Sequence, residues 1–240
     1  MSQYNQIANI YDIGPLDEYL FYSTWLNQCG DVSGLKILDI GCGSGISSRY
    51  LAKRGAKVTG VDNSSEMLEL AKTEEDKSPL GIRYALYDVA NLPHLDDFDL
   101  VTPSFLLHYA TTKEELNAFA LGIATNLKPC GRIVCINNNP EIPIQRYIPG
   151  LDNSSEWVDK PFAEGSRVRV HIHGSNGEKL YSFMRRFWKK ESYEKTLSMA
   201  GFSEIRWVKL KMSEEGKKLI PNWKKIELMS DIIIITARKA

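Results

Sequence analysis

The sequence predicts an α/β fold, in which helices cover a mostly parallel β-sheet. Three observations support this prediction. Apolar runs of strand length alternate with longer helical patterns, as in repeated β-α-β units. One apolar run, Lys36–Ile40, enters a glycine-rich turn that opens a helix. The chain has 240 residues, of which 43% are hydrophobic, and this is enough for one substantial core.

The first half of the chain is predicted to contain five strands and three helices. The strands are expected at Lys36–Ile40, Lys57–Val61, Ile82–Leu86, Phe98–Thr102 and Arg132–Ile136. The helices are expected to begin near Gly45, Ser65 and Thr112. Thr112 can cap its helix, acids follow in the first turn, and the helical pattern stops at Pro129. This alternation predicts parallel strands joined by helical crossovers.

The pattern changes after residue 136. Prolines at positions 140, 143, 149 and 161 interrupt it, and the segments RVRVHIHG and EKLYSFMRRFW then alternate as strands do. After these segments we expect the chain to return to the main sheet. We predict a helix in ESYEKTLSMAGF, an antiparallel-type strand in EIRWVKLKM and a buried strand at Asp231–Thr236. We therefore divide the chain into an N-terminal helical cap segment (1–30), a core (31–136), an inserted substrate lid with antiparallel strands (137–190) and a C-terminal part of the core sheet (191–240).

The formal net charge is zero, but the charges are unevenly distributed. Residues 1–160 contain 13 Lys and Arg against 21 Asp and Glu, whereas residues 161–240 contain 17 against 9, which gives −8 and +8. The basic last third can attract an anionic substrate or RNA. Because its basic pairs are scattered along the sequence, solvated strand and helix faces are the favoured interpretation.

Composition also restricts the class of protein. No apolar run approaches the roughly 20 residues of a membrane-spanning helix, and the polar start MSQYNQIANIYD is unlike a secretion signal. A cytoplasmic protein without membrane association is therefore expected. The four cysteines show no metal-like spacing, so we predict reduced structural thiols and no metal site.

The stretch ILDIGCGSG, residues 37–45, is the most informative motif. Its glycines let ligand atoms approach the backbone at the start of a helix, which suits either a dinucleotide or S-adenosylmethionine. Asp39, just before the turn, would repel a diphosphate but attract the ammonium and sulfonium of S-adenosylmethionine. Asp62, 21 residues after Gly41, is placed to accept hydrogen bonds from both hydroxyls of a ribose, which either ligand carries.

Five motifs resemble those of a known family. Residues 35–136 resemble the class I S-adenosylmethionine-dependent methyltransferases. The motifs that carry this resemblance are, in order, ILDIGCGSG, VTGVDNSSEML, YDVANLP, FDLVTPSFLLHY and LKPCGRIV. More narrowly, the chain looks like the toxoflavin-synthase-like group of small-molecule methyltransferases. The segments that carry this resemblance are YNQIANIYD, SPLGIRY, LLHYATTKEEL, INNNP and SYEKTLSMAGF. The resemblance implies a Rossmann-like, doubly wound, mostly parallel seven-stranded sheet with an antiparallel last strand.

The resemblance also implies a cofactor site for S-adenosylmethionine, with S-adenosylhomocysteine as its product. The glycines of the turn would line the methionine part, Asp62 would hold the ribose, and Asp88 with Val89 would contact the adenine amine. The N-terminal tyrosines, seven residues apart, would fold over the cofactor. The predicted cofactor-binding set is Tyr4, Tyr11, Asp39, Gly41, Cys42, Gly43, Gly45, Asp62, Asn63, Asp88, Val89 and Ser104. Cys130 departs from the glycine usual in this family, so we expect altered turn geometry there, away from the cofactor.

Methyl transfer needs alignment and water exclusion more than a particular catalytic residue. Acceptor-side residues are expected after strands 4 and 5 and in the lid. The catalytic candidates are His108, Tyr109 and Tyr11, and the substrate-binding candidates are Asn137, Asn139, His171 and His173. Each has a structural alternative, namely packing for the aromatic residues, turn formation for the asparagines and an exposed sheet face for the lid histidines.

The favoured function is transfer of a methyl group to a nitrogen or oxygen of a small molecule, such as a nitrogen heterocycle. Three alternatives stay open: a methyltransferase acting on RNA or protein, a non-catalytic cofactor-binding protein and an NAD-dependent oxidoreductase. An isoelectric point near 6.9 and the lack of a recognisable RNA-binding module argue against nucleic acid. The identity of the acceptor and the choice between monomer and homodimer are left open by the sequence.

Overall fold

The computed structural model describes residues 17–142, 144, 153–174 and 176–240. Its strands are β1 (Lys36–Ile40), β2 (Lys57–Asp62), β3 (Arg83–Leu86), β4 (Phe98–Pro103), β5 (Leu127–Asn138), β6 (Asn153–Trp157), β7 (Arg167–His173), β8 (Lys179–Arg186), β9 (Phe202–Lys209) and β10 (Ile232–Lys239). Its α-helices are α1 (Ser23–Cys29), α2 (Ile46–Ala52), α3 (Ser65–Lys77), α4 (Lys113–Thr125), α5 (Lys190–Met199), α6 (Glu214–Leu219) and α7 (Trp223–Met229). None of the helices within these ranges is long and apolar enough to cross a membrane.

Seven strands form the main sheet in the order β3-β2-β1-β4-β5-β10-β9. The first five of these run parallel, and β10 is antiparallel to both of its neighbours. The predicted doubly wound, mostly parallel sheet with an antiparallel last strand is therefore confirmed. Strand order reverses between β1 and β4, and in such sheets ligands bind in the crevice at the carboxyl ends of the strands at that point.

Alternating side chains of the strands divide the core between the two faces of the sheet. Leu38 packs with α4 and α5 on one face, whereas Ile37 packs with α1 and α2 on the other. Trp25 of α1 is fully buried, and its indole Nε1 donates a hydrogen bond to the carbonyl oxygen of Val134, 3.2 Å away. Both faces are covered, which explains why the central strands consist mostly of apolar residues.

The inserted sheet, β6-β7-β8, is antiparallel and lies between β5 and α5 in the chain. Its inner face buries Val168 and Arg185, which are register partners. Two contacts attach it to the segment after β4: the indole Nε1 of Trp188, just after β8, donates to the carbonyl oxygen of Ala110 at 3.1 Å, and the rings of Tyr109 and Phe183 lie 6.4 Å apart. The predicted insertion with antiparallel strands is present, and it borders the crevice.

Several features differ from the sequence prediction, among them strand β6, which was not predicted. Strand β5 begins at Leu127, five residues early, because Leu127 pairs with Phe98 before a shift in register. The helices α6 and α7 were not predicted, since each is short and Pro221 separates them. Ser213 marks the start of α6, where its hydroxyl accepts a hydrogen bond from the backbone N–H of Gly216. A π-helical turn, Asp17–Tyr22, leads into α1 within the predicted N-terminal helical segment.

Cys130 adopts a left-handed backbone conformation, with φ of +60°. This is the conformation that glycine favours, so the expected change in turn geometry is corrected: the turn keeps a glycine-like shape with a cysteine in it. The carbonyl oxygen of Cys130 accepts a hydrogen bond from Nη1 of Arg238 at 2.9 Å. The left-handed conformation costs a residue with a Cβ atom roughly 1–2 kcal/mol.

We expect Cys130→Gly to raise the free energy of unfolding by about 1 kcal/mol, since glycine carries no strain at this φ. For a chain of this size the melting temperature should rise by about 2–4 °C. The control is Cys130→Ala, which removes the thiol but keeps the strained Cβ atom. Equal stability of the glycine and alanine variants in urea unfolding would contradict the strain argument.

Candidate functional site

A cavity of about 440 Å³ opens at the carboxyl ends of the central strands. We call one side the glycine half; it is lined by Gly41, Cys42, Gly43, Ser44, Ser47, Asp62, Asn63, Asp88 and Val89, among others. We call the other side the arginine half; it is lined by Ser104, Phe105, Leu106, Tyr109, Thr111, Glu115, Arg167, Met184, Arg185 and Arg186. The volume lies within the range of about 300–1,000 Å³ that is typical of small-molecule sites.

The three glycines after β1 serve three different purposes. A Cβ atom on Gly41 would lie 3.1 Å from the carbonyl oxygen of Ser104, so this position needs close approach of two backbones. A Cβ atom on Gly43 would meet nothing within 4 Å, which leaves open space above a bare backbone. A Cβ atom on Gly45 would collide with the hydroxyl of Tyr84. Gly41 and Gly43 therefore line the cavity, and Gly45, predicted to do so, is instead required by packing.

Asp39 is completely buried below the glycine turn. Its Oδ2 accepts hydrogen bonds from the hydroxyls of Ser47 and Ser48, both at 2.6 Å. Its Oδ1 accepts a hydrogen bond at 3.1 Å from the hydroxyl of Thr102, its register partner in β4. Burial raises the pKa of Asp39 to about 6, although the three hydroxyls act in the opposite direction. Asp39 is not among the residues lining the cavity, so the prediction that its carboxylate faces a cationic ligand is corrected.

Asp62 joins the end of β2 to the glycine turn. Its Oδ2 accepts a hydrogen bond from the backbone N–H of Gly43 at 2.9 Å, and its Oδ1 accepts one from the backbone N–H of Ser64 at 2.8 Å. Burial raises the pKa of Asp62. Each carboxylate oxygen has a second lone pair, so the group can also accept hydrogen bonds from a ligand. Asp62 lines the cavity, and its contact with a ribose stays a prediction.

The end of β3 contributes a second carboxylate to the glycine half. Asp88 lines the cavity together with Val89, and its Oδ1 accepts a hydrogen bond from the backbone N–H of Ala90 at 3.0 Å. The two interpretations of Asp88, turn former and ligand contact, are therefore compatible. Asn63 and Cys42 also line this half, as predicted.

Ser104 follows β4 and lines the cavity near the glycine turn. Its Oγ is buried, and it has no hydrogen-bond partner among the described residues. Leaving a buried hydroxyl without a partner costs about 1–3 kcal/mol, so a polar ligand atom here would be stabilising. Together with the open space above Gly43 and the acceptors of Asp62, this orphan hydroxyl fits a polar nucleoside-like ligand.

Tyr109 lines the cavity, but its neighbour His108 does not. The His108 side chain is 1% exposed, and its Nδ1 lies 3.0 Å from Oδ1 of Asn137. Because that oxygen only accepts, Nδ1 carries the hydrogen. Burial, and to a smaller extent the charge of Arg185, lower the pKa of His108 to about 3. The structure thus corrects the prediction that His108 contacts a substrate.

The four predicted substrate-binding residues also lie outside the cavity lining. Asn137 is buried beside His108, and the backbone N–H of Asn139 donates a hydrogen bond to the carbonyl oxygen of Asp231. His171 contacts Ser182 Oγ at 2.7 Å and Glu156 Oε1 at 3.3 Å, and Nε2 of His173 lies 2.8 Å from Ser154 Oγ. These rings belong to the face of the inserted sheet opposite Val168 and Arg185, because side chains alternate along a strand.

Two further points concern predicted residues. Tyr4 and Tyr11 lie outside the described residues. Within the described part of the chain, no group of three or more His, Cys, Asp or Glu side chains is arranged to hold a metal ion.

The arginines of the cavity were not predicted as site residues from the sequence. Arg185 and Arg186 were noticed only as one of several scattered basic pairs. Period-two alternation gave one signal, because it places Arg185 and Arg186 on opposite faces of β8 and so predicts that one of the two is buried, as Arg185 is. Tyr87 and Phe105 also line the cavity and were not predicted, although they are the sequence neighbours of the predicted Asp88 and Ser104.

Comparison with known proteins agrees with this geometry. Residues 37–131 match the family model described as "Methyltransferase domain". A ubiquinone biosynthesis O-methyltransferase from Rhodopseudomonas palustris is 29% identical over 150 residues, which cover 60% of this chain and 58% of that protein. The chain thus spans only about three fifths of the length of this relative.

Solved structures show the same fold. An S-adenosylmethionine-dependent methyltransferase from Clostridium acetobutylicum superimposes with a TM-score of 0.69 at 19% identity, covering 100% of both chains. CalS10, an amino pentose methyltransferase from Micromonospora echinaspora solved with S-adenosylmethionine, gives a TM-score of 0.61 at 19% identity, covering 100% of this chain and 98% of that one. Residues 37–131 of this chain are therefore similar to a methyltransferase domain, and the chain has the Rossmann-like fold of the S-adenosylmethionine-dependent methyltransferases.

Proposed function

We propose that this protein transfers the methyl group of S-adenosylmethionine to an oxygen or nitrogen of a small molecule. The observation that supports this most directly is the single continuous cavity with two chemically different halves. The glycine half suits a nucleoside with a cationic tail, and the arginine half leaves room for an acceptor beside it. An open cavity also favours an enzyme over a non-catalytic cofactor-binding protein.

Five residues of the glycine half would hold the cofactor. The bare backbone of Gly41 and Gly43 would face its methionine part, Asp62 would accept hydrogen bonds from the ribose hydroxyls, and Asp88 with Val89 would contact the adenine amine. When bound, the cofactor supplies a methyl group on a sulfonium that leaves by in-line displacement. The chain itself then has to align the acceptor and exclude water.

Alignment is the main requirement for this reaction. His108 is neutral, but it lies behind the lining. Glu115 lines the cavity, and its Oε2 accepts hydrogen bonds from the backbone N–H and the hydroxyl of Thr111, so its Oε1 is the carboxylate oxygen of the arginine half that would take up a proton. Tyr109, which lines the arginine half, is then the polar side chain that would orient the reacting atom.

An oxygen acceptor is favoured by the name of the Rhodopseudomonas palustris relative, which is an O-methyltransferase. The amino pentose methyltransferase and the toxoflavin-synthase-like resemblance favour nitrogen, in the second case nitrogen of a heterocycle. Incubating the protein with S-adenosylmethionine and separate panels of catechols, phenols and nitrogen heterocycles, followed by mass spectrometry, tests both. We expect a gain of one methyl group in at least one panel; unchanged masses throughout, despite cofactor binding, would refute the proposal.

We expect Asp62→Ala to weaken cofactor binding by about 2–4 kcal/mol, because two hydrogen bonds to a charged acceptor are lost. This corresponds to a roughly 30-fold to 1,000-fold higher Kd by calorimetry with S-adenosylhomocysteine. Asp97→Ala, an exposed carboxylate away from the cavity, serves as the control. Wild-type affinity in the folded Asp62→Ala variant would show that the ribose assignment is wrong.

We expect His108 to stabilise the fold at pH 7 and to lose this contribution as the pH falls. The folded protein keeps it unprotonated, whereas the unfolded chain takes up a proton near pH 6.5. Between pH 7 and pH 5 this linkage lowers the free energy of unfolding by about 2 kcal/mol. Urea unfolding of wild type and His108→Gln at both pH values measures it, and an equal loss in both proteins would contradict the assigned neutral state.

A further inference from the structure

Three guanidinium groups line the same half of the cavity, and this arrangement bears on which acceptor the proposed methyltransferase would take. Arg167 comes from β7, and Arg185 and Arg186 come from the end of β8. All three belong to the inserted sheet, on the side of the cavity away from the glycine turn. The inference drawn from them rests on the proposed function, because it concerns the acceptor of that reaction.

Two of these arginines have carboxylate partners. Nε and Nη2 of Arg167 donate hydrogen bonds to Oδ1 of Asp159, at 3.0 and 2.7 Å. Arg185 is 3% exposed, and its Nη2 lies 3.8 Å from Oδ2 of the equally buried Asp231. A pair buried this deeply would leave an uncompensated charge if either partner were removed. Arg185 is thus a fixed positive group at the back of the arginine half.

Arg186 differs from the other two. Its side chain is half-buried, and its Nη1 donates a hydrogen bond to the carbonyl oxygen of Gly165 at 3.2 Å. No carboxylate of the described residues lies within ion-pair distance of it, although the pKa of Asp159, lowered mainly by hydrogen bonds from Arg167, is also lowered by the charge of Arg186. A guanidinium has five N–H donors in a planar fork, so most of the donors of Arg186 are available to a ligand.

One acidic side chain also lines the arginine half. Glu115 lies in the first turn of α4, where its Oε2 accepts two hydrogen bonds from Thr111. Its negative charge is stabilised there by the positive end of the helix. Lys113 and Glu164, which also lie near this turn, pair with each other at 3.1 Å. Arg186 therefore shares the nearby charge of Asp159 with Arg167, but no carboxylate of the described residues takes up its N–H donors.

We propose that the methyl acceptor carries an anionic group, a carboxylate or a phosphate, which binds to the guanidinium group of Arg186. Planar guanidinium forks match the oxygen pairs of both groups, and such charge-assisted hydrogen bonds are among the strongest in proteins. Fixing the anionic end against β8 turns the rest of the acceptor toward the glycine half. The reacting oxygen or nitrogen is then presented to the methyl donor across the cavity.

The test uses the whole protein saturated with S-adenosylhomocysteine and calorimetry with matched aromatic probes. These are 3,4-dihydroxybenzoate, its neutral amide 3,4-dihydroxybenzamide, and phenyl phosphate. We expect a carboxylate or phosphate probe to bind at least about tenfold more tightly than the amide, and the stronger of the two identifies the anionic group. Equal binding of charged and neutral probes, or no binding of either charged probe at millimolar concentration, overturns the proposal.

Two variants of Arg186 test whether this residue causes the preference for charged probes over the neutral amide. Arg186→Gln should abolish the discrimination between charged and neutral probes, and Arg186→Lys should restore part of it, because lysine keeps the charge without the planar fork. Arg169→Gln is the matched control, since Arg169 also lies on the inserted sheet but pairs with Glu156 outside the cavity lining. Discrimination that persists in Arg186→Gln, or is lost equally in Arg169→Gln, contradicts the assignment.

The same measurements separate this proposal from the proposed function. Binding of S-adenosylhomocysteine is recorded first, without any probe, and methylation of the acceptor panels is followed by mass spectrometry. If the cofactor product fails to bind and no acceptor gains a methyl group, the function itself is wrong. If neutral acceptors are methylated as well as anionic ones, the function stands and the anionic acceptor is refuted.

Discussion

The buried carboxylate of Asp39 is the interaction on which the rest of the site depends. It lies in β1, accepts hydrogen bonds from Ser47 and Ser48 of α2, and accepts another from Thr102 of β4. Three elements that meet at the reversal of strand order are thereby joined at one point. A charged group buried so completely is costly unless it is well hydrogen-bonded, and the three hydroxyls supply this compensation. The glycine turn lies directly above Asp39, so these hydrogen bonds fix its position.

Asp62 extends this arrangement toward the ligand. Its carboxylate is held by backbone N–H groups on both sides, one from the glycine turn and one from the start of α3. The two aspartates therefore have different tasks, although the sequence analysis gave both a contact with the cofactor. Asp39 positions the turn from below, and Asp62 borders the cavity that the turn encloses. Whether such a carboxylate supports the turn or borders the ligand cavity can be decided only once its burial in the structure is known.

The sheet and the glycine half could be predicted from sequence because short-range patterns specify them. Strand β1 was placed at Lys36–Ile40 because its apolar run ends at a glycine, and Asp88 was placed in the site because it follows a strand and precedes a turn. The arginine half was largely missed, since Arg167 and Arg186 reach the cavity only through the pairing of β7 with β8. Asn137 and His108 were assigned to the ligand because they follow strands, but burial behind the lining removes them from it.

The antiparallel direction of β10 has a consequence for how the cavity is assembled. A parallel strand brings its last residues to the ligand edge of the sheet, whereas β10 arrives there with its beginning, so Asp231 stands beside Asn138 and Asn139 at the end of β5. From that position it pairs with Arg185 of the inserted sheet. The two halves of the cavity therefore draw on different parts of the chain: the glycine half is built by residues that follow the first three strands, whereas the carboxylate that pairs with Arg185 comes from the segment just before the last strand.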